Sequence, residues 1–301
     1  MLLASQKTLM SDRLETHDTT HDSLSSAVAR HQWRQTLYSY MQLHLCFALC
    51  ARTDWETALA SVEALKESVK SVTIGDTELL NTLLLYITGV IHQSTGNLLD
   101  ALTVFQSPAL ALQPNVTNPH RQQTRHDLSI LATLNTILIL REPSHPKHSQ
   151  LDSLLSAVEG SCISHPDKNI VSAYYLVRAT AHADDPIIRT KQYLQHALQA
   201  AKVVANNQLT GITLNFMSWK FFRGVVGDQA ENSARASQKL AKKSGDSLWI
   251  SVADGLLADT LEVQGKHAEA EAARKEATAV AEGLPARVQR FEDAVEEEMG
   301  D

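Results

Sequence analysis

Residues 89–105 read GVIHQSTGNLLDALTVF, and the reading of their two glycines decides the fold. Gly89 and Gly96 stand seven apart, Ala101 follows five residues later, and Phe105 four after that. A phosphate-cradling loop places Lys and then Ser or Thr directly after its last glycine, on a turn between a strand and a helix. Asn97 follows Gly96 here, and no strand-like run precedes Gly89. The spacing predicts a helical hairpin instead. Its first helix runs from about Thr77 to Thr95, and Gly96 takes the left-handed position that ends it. Asn97 caps a second helix that carries Leu98, Leu102 and Phe105 on one face. Gly89 and Ala101 then let the two helices approach closely.

Composition points the same way along the rest of the chain. Of 301 residues 44% are apolar but only 5% aromatic, and Leu and Ala dominate, which favours helices over a β-sandwich. Only 12 Gly and 8 Pro punctuate the sequence, so regular structure runs long. The net charge of −7 lacks the dense positive surface that nucleic acid requires, so no direct sequence-specific nucleic-acid binding is expected. Three cysteines, Cys46, Cys50 and Cys162, are too few and too irregular for a disulfide framework, which suits a reducing compartment. The opening MLLASQKTLM lacks the pattern of a secretory signal. The most apolar run, LATLNTILIL at 131–140, is half the length needed to cross a bilayer, so no membrane partner is expected.

Apolar residues at helical spacing start first helices near His31, Thr77, Thr124, Asp167, Asn207 and Asp246, at intervals of 39 to 47 residues. Each unit divides in two. The breaks include Thr53-Asp54, Asp184-Asp185-Pro186, Gly227-Asp228 and Gly265-Lys266, with Pro186 opening a helix that runs to Ala205. The small-residue register returns as Ala258, Gly265, Ala270 and Ala277 in the last unit, and as Cys46, Ala58, Val62 and Leu65 in the first. It resembles the tetratricopeptide repeat, although these units are longer. The expected fold is all-α: a superhelical array of about six tetratricopeptide-like hairpins, an α-solenoid. Residues 1–29 are read as a partly ordered N-terminal segment and polar loop, 30–283 as the array, and 284–301 as an acidic C-terminal helix or tail.

A search for chemistry finds little. His17 and His21 lie in the polar loop, His145 and His148 in the turn EPSHPKH, and His165 before Pro166; none belongs to paired ligands at zinc spacing. Cys46 and Cys50, in LCFALC, lack the spacing of a redox pair and suit an apolar core. No GxSxG, HExxH or dinucleotide fingerprint occurs, so neither an enzyme nor a cofactor is expected. The unusual segment is 212–255, where Phe216, Met217, Trp219, Phe221 and Phe222 fall within seven residues. Such a helix is either buried between neighbours or forms an aromatic binding groove.

That segment, with HQWRQTLYSYMQLHLCFALCARTDW at 31–55, TRHDLSILATLNTILILREPSHP at 124–146 and TKQYLQHALQAAKVVANNQLTGITLNFMSWKFFRGVVGDQAE at 190–231, resembles the fungal form of the cohesin loading factor. This is the tetratricopeptide subunit of the cohesin loader, and the similarity covers roughly His31 to Gly283. Family members are longer, so the resemblance implies that the chain corresponds to their C-terminal part. It also implies a nuclear, non-enzymatic scaffold for sister-chromatid cohesion. Its superhelix would wrap an extended N-terminal segment of the large HEAT-repeat loader subunit and reach cohesin and chromatin indirectly. Carrying the tetratricopeptide register across places Tyr40, Tyr86, Tyr175, Met217 and Phe221 on the concave, protein-binding face. The rival readings are a generic tetratricopeptide adaptor or chaperone co-factor, and a helical regulatory region of an enzyme. Adaptors that clamp a C-terminal carboxylate use Lys, Arg and Asn along the inner helices, whereas here those positions are largely apolar or aromatic.

Overall fold

The computed structural model describes residues 24–70, 77–112, 119–182 and 185–284. Twelve α-helices form among them, and no strand. In chain order they are α1 (Leu24–Ala51), α2 (Trp55–Lys70), α3 (Thr77–Ser94), α4 (Leu98–Phe105), α5 (Pro119–Leu140) and α6 (Leu151–Ile163). The second half holds α7 (Lys168–Ala181), α8 (Ile187–Val203), α9 (Asn207–Met217), α10 (Asp228–Ser244), α11 (Ser247–Val263) and α12 (His267–Ala281). A single π-helical turn, Ser218–Phe222, extends α9. The helices pair consecutively into hairpins, as the 39-to-47-residue period predicts. The first helix begins at Leu24 rather than near His31, so residues 24–29 are helical; residues 1–23 and the acidic stretch 285–301 lie outside the described residues.

Four of the turns share one backbone pattern. A residue with positive φ ends one helix and a short polar residue opens the next: Thr53-Asp54, Gly96-Asn97, Ala205-Asn206 and Gly245-Asp246. Asp54 Oδ1 accepts from the Thr57 N–H at 3.3 Å, Asn206 Oδ1 from Leu209 N–H at 3.0 Å, and Asp246 Oδ1 from Trp249 N–H at 3.2 Å. Each bond satisfies an amide that the helix itself leaves unpaired. Gly96 has φ +76°, where a Cβ would crowd the backbone. Asn97 makes no side-chain cap bond.

Within the second hairpin, Ala101, Leu102 and Phe105 are buried and Gly89 sits beneath the Phe105 ring. Leu98 departs from the expected buried face: it is 43% exposed, beside Leu99 at 78%. The physical reason is that α4 has only eight residues, and its one apolar stripe begins at Ala101.

Each first helix packs against the first helix of the next unit along the whole chain, α1 on α3, α3 on α5, α5 on α7, α7 on α9 and α9 on α11. The second helices make no comparable contact with one another. In the last two units long ionic side chains bridge them, Arg235 to Glu269 and Lys242 to Glu276, both at 2.6 Å. The array is therefore tight on the first-helix layer and more open on the second-helix layer.

A buried hydrogen bond repeats with the units. Ser172, the fifth residue of α7, donates to the Ala197 carbonyl on α8 at 2.9 Å. Ser251, the fifth of α11, donates to the Ala277 carbonyl on α12 at 3.2 Å. In the unit between, the direction reverses: the carbonyl of Gly211, the fifth of α9, accepts from Ser237 on α10 at 3.2 Å. A small residue at this place brings the two helix backbones within hydroxyl reach.

Candidate protein-binding face

The first-helix layer carries the five residues that the repeat register singles out, and their surroundings differ. Tyr40 on α1 is half-buried against the cluster built from α1, α2 and α3. Tyr86 on α3 lies against Phe105, with ring centroids 6.0 Å apart, and its hydroxyl accepts from Asn135 Nδ2 on α5 at 3.2 Å. Burial pushes its phenol up to about 12. Tyr86 therefore ties the second unit to the third.

Tyr175 on α7 meets the second helix of its own unit, stacking on His196 at 4.9 Å and on Tyr193 at 6.3 Å. Arg178, one turn on, lies over the Tyr193 ring at 5.5 Å, a cation–π contact. Its neighbour Tyr174 is 1% exposed and donates to Glu159 Oε1 on α6 at 3.1 Å. Between α6 and α7 a small cleft opens, lined by Asp152, Ser156, Glu159, Tyr174 and Arg178. A different side of α7 presents Asn169, Ala173, Leu176 and Thr180, all half-buried and spaced three or four apart. This stripe escapes sequence reading because it mixes polar, small and apolar side chains.

Met217 ends α9, and Phe221 lies in the π turn; both are half-buried. Trp219 between them is 45% exposed, and Val225 and Val226 follow at 45% and 70%. Ser218 is buried and shares a hydrogen bond with Ser233 on α10 at 2.9 Å. The turn is thus pinned on one side and shows aromatic and aliphatic surface on the other.

The residues weighed for other chemistry have structural partners. His165, 4% exposed, bonds Asp127 Oδ1 at 3.0 Å, and its Nδ1 accepts from the Asp167 N–H at 3.1 Å. His148 Nδ1 bonds the Leu140 carbonyl at 2.9 Å, and His145 Nδ1 accepts from Lys147 N–H at 3.1 Å. His17 and His21 lie outside the described residues. Burial raises the Cys46 thiol to about 11 and those of Cys50 and Cys162 to about 12, so all three stay protonated at neutral pH. Among the described residues no group of three His, Cys, Asp or Glu side chains could hold a metal ion, and no helix is long and apolar enough to cross a membrane.

Against known families, a family model described as cohesin loading factor matches residues 4–268. No curated protein and no solved structure matches the chain.

Proposed function

The chain belongs to the cohesin loading factor family, and we propose that within the cohesin loader it is a non-enzymatic scaffold, acting at chromatin in the nucleus. The carrying observation is the extent of the family match, residues 4–268, which takes in eleven of the twelve described helices whole and the first residues of the last. The first-helix layer supports the reading, because a continuous surface of stacked units suits an extended chain better than a compact ligand. The partner is an extended N-terminal segment of the large HEAT-repeat loader subunit. Tyr40 and Phe221, both half-buried, offer contact area at little entropic cost, and half-buried Met217 adds adaptable apolar surface. Tyr86 and Tyr175 belong to the same set, but each also holds its own unit together.

Affinity purification of the tagged chain from nuclear extract, followed by mass spectrometry, tests the proposal. Recovery of the large loader subunit is expected. Recovery of chaperones without it refutes the assignment in favour of a generic adaptor. Isothermal titration with the synthetic N-terminal segment should then show about tenfold weaker binding for Phe221→Ala, or about 1.4 kcal/mol. Unchanged affinity would move the contact away from the π turn.

A further inference from the structure

Leu248, in the first turn of α11, packs against the apolar cluster of α1, α2 and α3 that holds Leu43, Cys46, Trp55 and Leu84. The two sides of this contact are about 200 residues apart in sequence, and no neighbouring unit separates them at that point. The sixth hairpin therefore touches the first two through this side chain. We propose that this contact is a seam that closes the superhelical array into a ring, and that the seam opens to admit an extended polypeptide sideways into the channel of first helices. The second half of the proposal rests on the partner reading given above; the first half does not.

The seam is narrow. Leu248 is only half-buried, and among the described residues no other apolar side chain of α11 or α12 packs against that cluster. Four of the five joints between neighbouring units, by contrast, share an apolar cluster, such as the one formed by Ile130, Leu155, Ile170 and Tyr174 across α5, α6 and α7, and at the fifth α9 packs on both α7 and α8. A ring of strong joints with one weak joint opens at the weak one, since local opening follows the smallest loss of buried contact. On the α11 side the residues next to Leu248 are held firmly: Asp246 caps the helix and accepts from Gln208 Nε2 at 2.6 Å, and Trp249 packs on Phe216 at 6.5 Å. Leu248 is thus presented by a rigid helix end, so the seam can part without unravelling α11.

Hydrogen exchange on the chain alone tests the ring. With Leu248→Ala, amides of residues 43–50 on α1 should exchange about fivefold faster, although the substitution lies in the sixth unit. An effect confined to residues 246–284 overturns the ring. Small-angle scattering of Leu248→Asp, which places a charge in the seam, should show a larger radius of gyration with helical circular dichroism retained; an unchanged radius overturns it too. The opening is read from association with the synthetic N-terminal segment of the large loader subunit. Leu248→Asp should raise both the association and the dissociation rate several-fold. Faster dissociation alone would make Leu248 a contact residue and refute the gate. A segment that binds neither protein refutes the partner reading and the gate with it, while the exchange result still decides the ring.

Discussion

Replacing Gly89 by Ala sets two known effects against each other. An added Cβ would stand 2.6 Å from Phe105 Cε1 and 3.0 Å from Cδ1 and Cζ. Carbon atoms prefer separations of about 3.5–4.0 Å, so the ring must yield by about 1 Å. It has little freedom to do so, because Phe105 is 3% exposed and Tyr86 leans on it at 6.0 Å. Overpacking of a filled core costs about 1–3 kcal/mol, and this contact belongs at the upper end. Against it, Ala in a helix interior is better than Gly by about 1 kcal/mol. The steric term wins, leaving a net loss of about 2 kcal/mol and a thermal midpoint lowered by several degrees.

Thermal unfolding followed by circular dichroism reads the balance, with Gly160→Ala as the control. Gly160 lies within α6 with nothing within 4 Å of an added Cβ, so the helix-propensity gain should stand alone and raise the midpoint slightly. The decisive comparison uses Phe105→Leu, which removes the ring. In that background Gly89→Ala should become neutral or stabilising, a coupling of about 2 kcal/mol. If Gly89→Ala raised the midpoint of the otherwise unaltered protein, or cost the same in both backgrounds, the close approach of α3 and α4 over Gly89 would be wrong.

Other substitutions probe the remaining joints. Ala101→Leu enlarges a side chain that is fully buried in the same hairpin and should cost about 1–3 kcal/mol; an unchanged midpoint would place Ala101 at the surface. Ala205→Gly relieves an L-residue held at φ 52° and should gain about 1 kcal/mol in denaturant unfolding, whereas a loss would show that the methyl group packs productively. Burial raises the Asp246 carboxyl above its ordinary value, although hydrogen bonds from Trp249, Gln208 and Leu248 oppose the shift. The folded state then holds the proton more tightly than the unfolded one. The stability from that proton is full below the ordinary carboxylate range and lost as pH rises through the raised value. Asp246→Asn keeps a cap without the charge, so it should raise the midpoint at pH 7 and leave it unchanged near pH 3; a lower midpoint at pH 7 would mean that the charge strengthens the cap.

Much of this fold is legible residue by residue, because a hairpin is a local object. The glycine at 96 and the alanine at 101 announce a turn and a close contact, and the starts read from periodicity fall inside α1 and α5, on the first residues of α3 and α9, and on the N-caps of α7 and α11. Thr53 and Ala205 are harder, since they occupy the same left-handed position without being glycine. Their signal is the residue that follows, Asp54 or Asn206, whose cap bond offsets the strain. The tyrosines show a different limit. Register places Tyr86 and Tyr175 on first helices, but the same 3.6-residue period cannot separate a ring aimed into the channel from one aimed at α5 or α8. That choice depends on what stands opposite, which is a property of neighbouring units. Leu248 lies furthest from sequence reading. Whether the sixth unit reaches the first depends on small rotations summed over every joint between them. The buried bonds of Ser172, Gly211 and Ser251 help set those rotations, because each fixes how closely a first helix approaches its partner. A residue that looks like a minor small-side-chain choice in one unit therefore acts, through curvature, on a contact about 200 residues away.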